Sequence, residues 1–160
     1  MPAIDVPLLI VGHGPAALVA AKVLSGSGLT SLIAGHEPLD LLEPVVLDQQ
    51  SVAVLEPHGV LGVLRPYAAS QYPFTIVPNL FEQGLKHHCV VDMLITVYDG
   101  MSLIETIPDG VAITGVLTDG RSRWPIRADT FLDVSHMSTD LNAAIHEAAA
   151  FATELRARII

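Results

Sequence analysis

A short apolar run that ends in a glycine turn and continues into an alanine-rich segment constrains the fold of this chain most. The run is Leu-Leu-Ile-Val at residues 8–11, and Gly12-His13-Gly14-Pro15 follows it directly. Continuously apolar, partly β-branched runs are typical of buried parallel strands. Proline favours the first turn of a helix, where its missing N–H would have no partner anyway. We therefore predict a strand, a tight turn and a helix that reaches Leu24.

A second strand completes the unit. Ser25-Gly26-Ser27-Gly28 ends the predicted helix, and the apolar run at residues 29–34 then stops at Gly35-His36-Glu37. Strand, glycine turn, helix, glycine stop and strand, within about 30 residues, form one βαβ unit. The pattern predicts an α/β fold with a Rossmann-like parallel sheet.

The glycine turn has the spacing that binds the diphosphate of a dinucleotide. Gly12 allows the sharp turn, Gly14 allows close approach of the backbone to a diphosphate, and a small residue at Ala17 allows helix and strand to pack closely. The predicted helix begins at Pro15-Ala16-Ala17, where the amides of the two alanines lie at the positive end of the helix dipole, which favours an anion. Dinucleotide binding is the favoured interpretation, and a plain turn between strand and helix is the alternative.

These residues resemble the N-terminal FAD-binding motif of two-dinucleotide-binding-domain flavoproteins, the group related to glutathione and thioredoxin reductases. The resemblance implies FAD, with NAD as the less favoured cofactor, bound at Gly12, His13, Gly14, Pro15, Ala16 and Ala17. The family usually has a glutamate at the end of the second strand, where it binds the ribose of the adenosine. Gly35 stands at that position here, followed by His36 and Glu37. Either Glu37 replaces the family's glutamate, with His36 beside it, or the ribose contact is absent.

Three Asp-Gly pairs at ten-residue intervals, at 99–100, 109–110 and 119–120, separate short apolar segments. Asp-Gly suits the positive φ angles of hairpin turns, so we predict a β-meander; three unrelated loops are the alternative. The segment at 126–134 resembles the strand that returns from the meander to the sheet in the same flavoproteins. The family closes this strand with Ala-Thr-Gly or similar, whereas Val134-Ser135-His136 stands here.

A C-terminal helix is predicted from Leu141, because the apolar positions 141, 144, 145, 148, 152, 155 and 159 share one helical face. In the family, an aspartate just before the last helix binds the ribitol of FAD. Asp140 resembles that residue, and a plain helix cap is the alternative. By the same comparison His136 would lie near the flavin, where it could move a proton; a solvated loop histidine is the alternative.

Residues 38–84 match nothing in that comparison. We predict short β-like runs at 44–47, 51–55 and 59–64 and a helix near Asn79–His88. By position, this stretch is a candidate for the flavin-ring pocket or for a subunit interface. The resemblance covers residues 6–37 and 85–159, without the family's NAD(P)H domain. We therefore predict one FAD-binding or dinucleotide-binding domain over residues 1–160, with 38–84 as an insert.

Charge and cysteine content narrow the classes of function. The net charge of -9 disfavours nucleic acid and anionic membranes as partners. No uncharged apolar run reaches the roughly 20 residues that span a bilayer, and we expect a cytoplasmic protein. Cys89 is the single cysteine, so disulfide-reductase chemistry within one chain is excluded. We expect Cys89 to be buried just before a buried strand. We expect no metal site, because adjacent residues such as His87-His88 point in different directions.

The sequence favours an FAD-binding single-domain flavoprotein, an oxidoreductase or electron-transfer component that depends on self-association or on a partner protein. A degenerate Rossmann subunit used for assembly or sensing is the alternative, and a small NAD-binding protein is a further one. No catalytic acid, base or nucleophile is identified.

Self-association is the first testable prediction. Charged residues make up 16% of the chain and hydrophobic residues 51%, whereas about 25% charged is usual. One small domain has too little interior to bury this apolar surface, so we expect a homo-oligomer or a complex with another protein. Sedimentation velocity of the purified chain should show a species heavier than 17.0 kDa. A stable monomer at micromolar concentration, without a partner, would contradict this expectation.

Overall fold

The computed structural model describes residues 3–159, with only the backbone of residue 159. The strands are β1 (Ile4–Val11), β2 (Ser31–Ala34), β3 (Val45–Val46), β4 (Ser70–Gln71), β5 (Phe74–Ile76), β6 (Ile95–Tyr98), β7 (Ser102–Asp109), β8 (Ala112–Thr118) and β9 (Arg123–Asp133). The helices are α1 (Pro15–Ser25), α2 (Gln49–Leu55), α3 (Val60–Leu64), α4 (Pro78–Val90) and α5 (Leu141–Ile159). Short 3₁₀ turns occupy Glu56–His58, Arg65–Tyr67 and Val134–His136.

One six-stranded sheet, in the order β6-β2-β1-β9-β8-β7, organises the chain. The strands β6, β2, β1 and β9 are parallel, whereas β7, β8 and β9 are antiparallel neighbours. The long strand β9 therefore belongs to both parts: it pairs with β8 near its start and with β1 towards its end. The α/β fold with a Rossmann-like parallel sheet and a β-meander is confirmed.

Two apolar clusters lie on the two sides of the parallel strands. Leu8, Ile10 and Ile33 pack with α1, α4 and α5, and Lys22 and Ser25 are the only residues of α1 that are not buried. Leu9 and its neighbours instead pack with the meander in a second, smaller cluster. The alternation of Leu8, Leu9 and Ile10 between the clusters explains why the second half of β1 is an unbroken apolar run, since each face of a central parallel strand is covered.

The apolar face predicted for the last helix is confirmed. Its positions 141, 144, 145, 148, 152 and 155 are all buried in α5, while the side chain at 159 lies outside the described residues. No helix in the described residues is both long and apolar enough to cross a membrane.

The meander has two hairpin turns. Gly110 and Gly120 have positive φ angles of 65° and 94°, and they join β7 to β8 and β8 to β9. The third pair, at 99–100, joins β6 to β7, which lie at opposite ends of the strand order and do not pair. Prediction of a hairpin there was wrong, because Asp-Gly specifies a reversal of the chain and does not specify which strands then meet.

The stretch at 38–84 contains more helix than expected. The runs at 51–55 and 59–64 were predicted as β-like, but they lie in α2 and α3. Asp48 begins α2 by accepting a hydrogen bond from the amide of Ser51 at 2.7 Å, so a cap and packing override the β propensity of valine. Only Val45–Val46 of the run at 44–47 forms a strand, and the helix expected near Asn79–His88 is confirmed as α4.

The segment after Cys89 also differs from expectation. Cys89 is buried within α4, as expected, but Val90 and Val91 do not begin a buried strand. They end α4 and are 58% and 76% exposed. The next strand starts only at Ile95, after a turn in which the Asp92 carboxylate accepts a hydrogen bond from the amide of Leu94.

Asp92 connects this turn to α1 through hydrogen bonds from Lys22 and Ser25. Partial burial raises the pKa of Asp92, but bonds from Lys22 Nζ at 2.8 Å, from Ser25 Oγ at 2.6 Å and from the Leu94 amide outweigh this and lower the pKa to about 2. Because the folded pKa is below the unfolded one, the stabilisation is complete above about pH 4 and is lost as pH falls towards 2.

We therefore expect Asp92→Asn to lower the free energy of unfolding by about 1–2 kcal/mol at pH 7 and to reduce its fall between pH 4 and 2. Urea denaturation of both proteins at several pH values measures this. Asp129→Asn is the control, because the Asp129 side chain is 65% exposed beside Arg127. Equal pH profiles for the wild type and Asp92→Asn would contradict the prediction.

Candidate nucleotide-binding site

The predicted site residues meet at the carboxyl edge of the parallel strands. Val11, the last residue of β1, lies level with Ala34 of β2 and with Asp133 of β9. The chain leaves β1 through α1 to reach β2 on one side, whereas β9 lies on its other side. In open α/β sheets, ligands bind at such a point, outside the carboxyl ends of strands whose connections diverge.

The turn after β1 has the backbone that its glycines predict. Gly12 and Gly14 have φ angles of 122° and 97°, which residues with a side chain rarely adopt. Helix α1 begins at Pro15 with no side-chain cap and no acidic residue in its first turn. An anion at this helix end would therefore meet backbone dipoles and no carboxylate of the first turn.

Gly12 is required by close packing within the protein. A Cβ at this position would lie 2.7 Å from Cγ2 of Val134 and 3.1 Å from the amide nitrogen of Ser135. The end of β9 thus contacts the glycine turn directly, and it brings Asp133, Ser135 and His136 to the same edge.

Gly35 ends β2 in a conformation that leaves no room for a side chain. Its φ is 65°, and a Cβ there would lie 2.5 Å from the carbonyl oxygen of Met101. Its amide donates to the carbonyl of Tyr98 at 3.0 Å. An acid at this position would require residues 99–101 to move, so the present backbone excludes the usual ribose-binding glutamate.

Glu37 lies beside the glycine turn but contacts little. Its Oε2 is 3.8 Å from Nδ1 of His13, and the two side chains are 78% and 60% exposed. Both residues are thus available to solvent at the carboxyl edge. A ribose contact by Glu37 stays a prediction.

His36 forms a buried pair with Glu82 of α4. Both side chains are fully buried, and Nε2 of His36 is 3.2 Å from Oε1 of Glu82 and 3.1 Å from the carbonyl oxygen of Gly14. Since both partners only accept, Nε2 carries the proton and donates. Nδ1 of His36 is buried without a partner among the described residues. His36 therefore binds the glycine turn from within the protein.

Residues 37–39, which we call the strap, cover Gly14. The carbonyl oxygen of Glu37 accepts from the amide of Gly14 at 3.1 Å. Leu39 places Cδ1 3.1 Å from the position that a Cβ of Gly14 would take. The Leu39 amide donates to Oε2 of Glu82 at 2.9 Å. The face of Gly14 expected to approach a diphosphate is thus in contact with a leucine.

Glu82 and Leu39 were not predicted as site residues. Glu82 had a detectable signal, because it shares one helical face with Phe81, Leu85 and Cys89, and a charged residue on an apolar face needs a partner. Leu39 had none, since its role arises from the path of the chain after β2.

The predicted ribitol-binding residue lies before α5. Asp140 is exposed, and its Oδ2 accepts from the amide of Ala143 at 2.9 Å, as a helix cap does. The cap that was the alternative is therefore present, and the ribitol contact stays a prediction.

Asp133 is another acid at this edge and was not predicted as a site residue. Partial burial raises the pKa of Asp133, but hydrogen bonds from the hydroxyl and amide of Ser135 and the nearby charge of His136 lower it below its usual value overall. Asp133 is thus a stable carboxylate at the carboxyl end of β9. His136, the proton-transfer candidate, is exposed in the same turn.

Other chemistry is not favoured. Burial raises the pKa of the Cys89 thiol to about 12, so it is not a reactive thiolate at neutral pH. Asp48 and Ser51 contact the same nitrogen of His146, Nε2, at 3.0 and 3.2 Å. A nucleophilic triad needs the acid on the other ring nitrogen, so this cluster joins α2 to α5 and is no triad. The described residues contain no group of three metal-ligating side chains.

Comparisons with known proteins place this geometry in a structural class. No protein-family profile and no curated protein sequence matches the chain. Among solved structures, the flavin-dependent monooxygenase PieE, in complex with FAD and substrate, is similar with a TM-score of 0.69 and 20% identity over 82% of this chain. A flavoprotein/dehydrogenase from Cytophaga hutchinsonii gives 0.65 and 16% over 82%. The rebeccamycin biosynthetic enzyme RebC with reduced flavin gives 0.67 and 13% over 90%.

These similarities establish the fold. The chain spans 30%, 39% and 35% of the lengths of those three structures. The expected Rossmann-type α/β fold is confirmed, and it is shared with parts of these flavoenzymes. The likeness does not single out the disulfide oxidoreductase group, since the neighbours named here are a monooxygenase, a dehydrogenase and a biosynthetic enzyme.

The contact at Gly35 generates a stability prediction with a matched control. Gly59 has a similar φ, 72°, but a Cβ there would meet nothing within 4 Å, whereas at Gly35 it would meet Met101. Both alanine variants carry the backbone cost of about 1 kcal/mol, and only Gly35→Ala adds the contact. We expect Gly35→Ala to cost at least about 1 kcal/mol more than Gly59→Ala in urea denaturation. Equal losses of unfolding free energy in the two variants would show that residues 99–101 move aside at no cost.

Proposed function

We propose that this chain binds FAD at the carboxyl edge of its parallel sheet and forms the cofactor-binding part of an oxidoreductase or electron-transfer protein. The glycine turn carries the proposal: two positive-φ glycines lead from the central strand into a helix start without a side-chain cap. In this fold, that combination is the diphosphate-binding element. The flavoenzyme names of the structural neighbours support the choice of FAD over NAD.

The residues of the glycine turn fit the diphosphate of FAD, whereas the residues after β2 fit the adenosine ribose less well. Gly12, His13, Gly14, Ala16 and Ala17 would hold the diphosphate by backbone amides, provided that Leu39 moves from Gly14. Pro15, which has no N–H, would begin the helix whose dipole faces the diphosphate. Asp140 would hold the ribitol, and Glu37, with the buried His36 before it in the chain, would bind the ribose in place of the family's glutamate. Bound FAD would supply electron and hydride transfer, and the protein would supply binding and electrostatics.

His136 is the proposed proton-transfer group of this site. It is exposed at the end of β9, two residues after the Gly12 contact at Val134. A histidine near a flavin stabilises the negative charge of the reduced ring or moves a proton. The electrons would come from a reduced substrate, from free NAD(P)H or from a partner protein.

A non-enzymatic assembly or sensing subunit is the second candidate. Two observations favour it: the carbonyl of Met101 occupies the place of a ribose-binding acid, and Leu39 lies on Gly14. The first prevents a ribose contact from position 35, and the second reduces the space at the glycine turn. Such a protein would keep the fold and lose the cofactor.

Titration with FAD separates the two candidates. Purified protein incubated with FAD and then desalted should retain oxidised-flavin absorption, and flavin fluorescence should change as protein is added. Saturable binding of FAD, with weaker binding of NAD, supports the proposal. A colourless protein that does not bind FAD in the wild type or in the Leu39 variant described below would contradict it.

A charge placed beside the turn tests the location of the site. The side chain of His13 is 60% exposed, so His13→Asp should fold normally and place a negative charge next to the diphosphate. We expect the Kd for FAD to rise about fivefold to tenfold, as repulsion of about 1 kcal/mol implies. Thr114→Asp makes the same charge change on an exposed site of β8 and should leave the Kd unchanged. Equal effects of the two variants would place the cofactor elsewhere.

A further inference from the structure

We infer that the strap, residues 37–39, and the diphosphate of FAD compete for Gly14, and that the buried carboxylate of Glu82 is the latch of this closed state. The inference rests on the proposed function and adds its regulation: cofactor binding requires release of the strap. Three groups of contacts carry it.

The strap and its neighbour His36 first occupy both polar groups of the Gly14 backbone. The Gly14 amide donates to the carbonyl of Glu37 at 3.1 Å, and the Gly14 carbonyl accepts from His36 Nε2 at 3.1 Å. An amide has one proton, so a phosphate oxygen would have to compete with the Glu37 carbonyl for it. The strap therefore takes the hydrogen bond that the glycine would give to the cofactor.

Leu39 then fills the space in front of Gly14. Its Cδ1, Cγ and Cδ2 atoms lie 3.1, 3.3 and 3.8 Å from the position of a Cβ on Gly14. A glycine at this point of the motif leaves that space free for a diphosphate. An apolar side chain gives a phosphate no hydrogen bond, so the leucine and the anion exclude each other.

Glu82 binds the strap and its neighbour His36 from the protein interior. Its fully buried carboxylate accepts from His36 Nε2 at 3.2 Å through Oε1 and from the Leu39 amide at 2.9 Å through Oε2. The two bonds hold both ends of residues 36–39. A buried carboxylate without partners is costly, so Glu82 stabilises the closed strap more strongly than an exposed acid would.

A cavity of about 310 Å³ borders the strap at Pro38 and is also lined by His36 and Glu82. Opening of the strap is part of the proposal. When only the open state binds the cofactor, the apparent affinity equals the intrinsic affinity reduced by the open fraction. Weakening the strap must therefore strengthen FAD binding, whereas loss of an ordinary binding residue would weaken it.

Leu39→Ala tests the competition. The variant removes the leucine from Gly14 and keeps the backbone bonds, and we expect its Kd for FAD to be roughly fivefold to tenfold lower than that of the wild type. Leu42→Ala is the matched control, because Leu42 is 67% exposed and lies three residues beyond the strap's end. Its Kd should equal that of the wild type. Thermal unfolding of all three proteins confirms that each is folded.

Glu82→Gln tests the latch by a second route. A carboxylate accepts at both oxygens, whereas the glutamine amide accepts at one and donates at the other, so the variant cannot accept from both His36 Nε2 and the Leu39 amide. We expect a lower Kd for FAD here as well. Hydrogen exchange gives a readout that needs no variant: FAD should speed exchange of the Leu39 amide and slow exchange in the first turn of α1.

The outcomes separate the two levels of the proposal. Tighter FAD binding by Leu39→Ala, or binding by this variant alone, supports the strap. FAD binding by the wild type with an unchanged or higher Kd for Leu39→Ala overturns the strap and leaves FAD binding intact. Slower exchange of the Leu39 amide with FAD also overturns it. Absence of FAD binding in both proteins overturns the strap together with the proposed function.

Discussion

The parallel pairing of β1 with β9 is the interaction on which the rest of the structure depends. It joins the N-terminal βαβ unit to the meander, because β9 pairs with β8 near its start and with β1 towards its end. It also brings Val134 against Gly12, so the glycine turn is shaped by a segment more than 120 positions away. Fold and candidate site therefore share one set of contacts.

The elements that could be predicted from the sequence are those with local rules. The glycine turn, α1, β2, the meander hairpins and the buried face of α5 follow from periodicity, from turn chemistry and from the early proline. Asp140 caps α5, which short-range chemistry also predicts. Local sequence was sufficient for these parts because each of them encodes its geometry within a few residues.

The parts that could not be predicted depend on contacts between distant residues. Valine-rich runs in 51–64 read as strands, but Asp48 and packing against α5 make the first of them a helix. Leu39 meets Gly14, and Met101 meets Gly35, only because of the paths of two connections. Periodicity carries no information on such paths. Glu82 could be predicted in part. Its position on the apolar face of α4 indicates that the carboxylate needs a buried partner, but it does not indicate which residue that partner is.

The approach of the Met101 carbonyl to Gly35 also limits how this site can change. An acid at position 35 and the present course of residues 99–101 are mutually exclusive. Replacing Gly35 alone therefore creates a steric clash with Met101. A sequence with a glutamate there has to acquire a different connection between β6 and β7 first. The two positions are thus coupled by sterics, and a redesign that adds a ribose-binding acid must rebuild this connection before it changes the glycine.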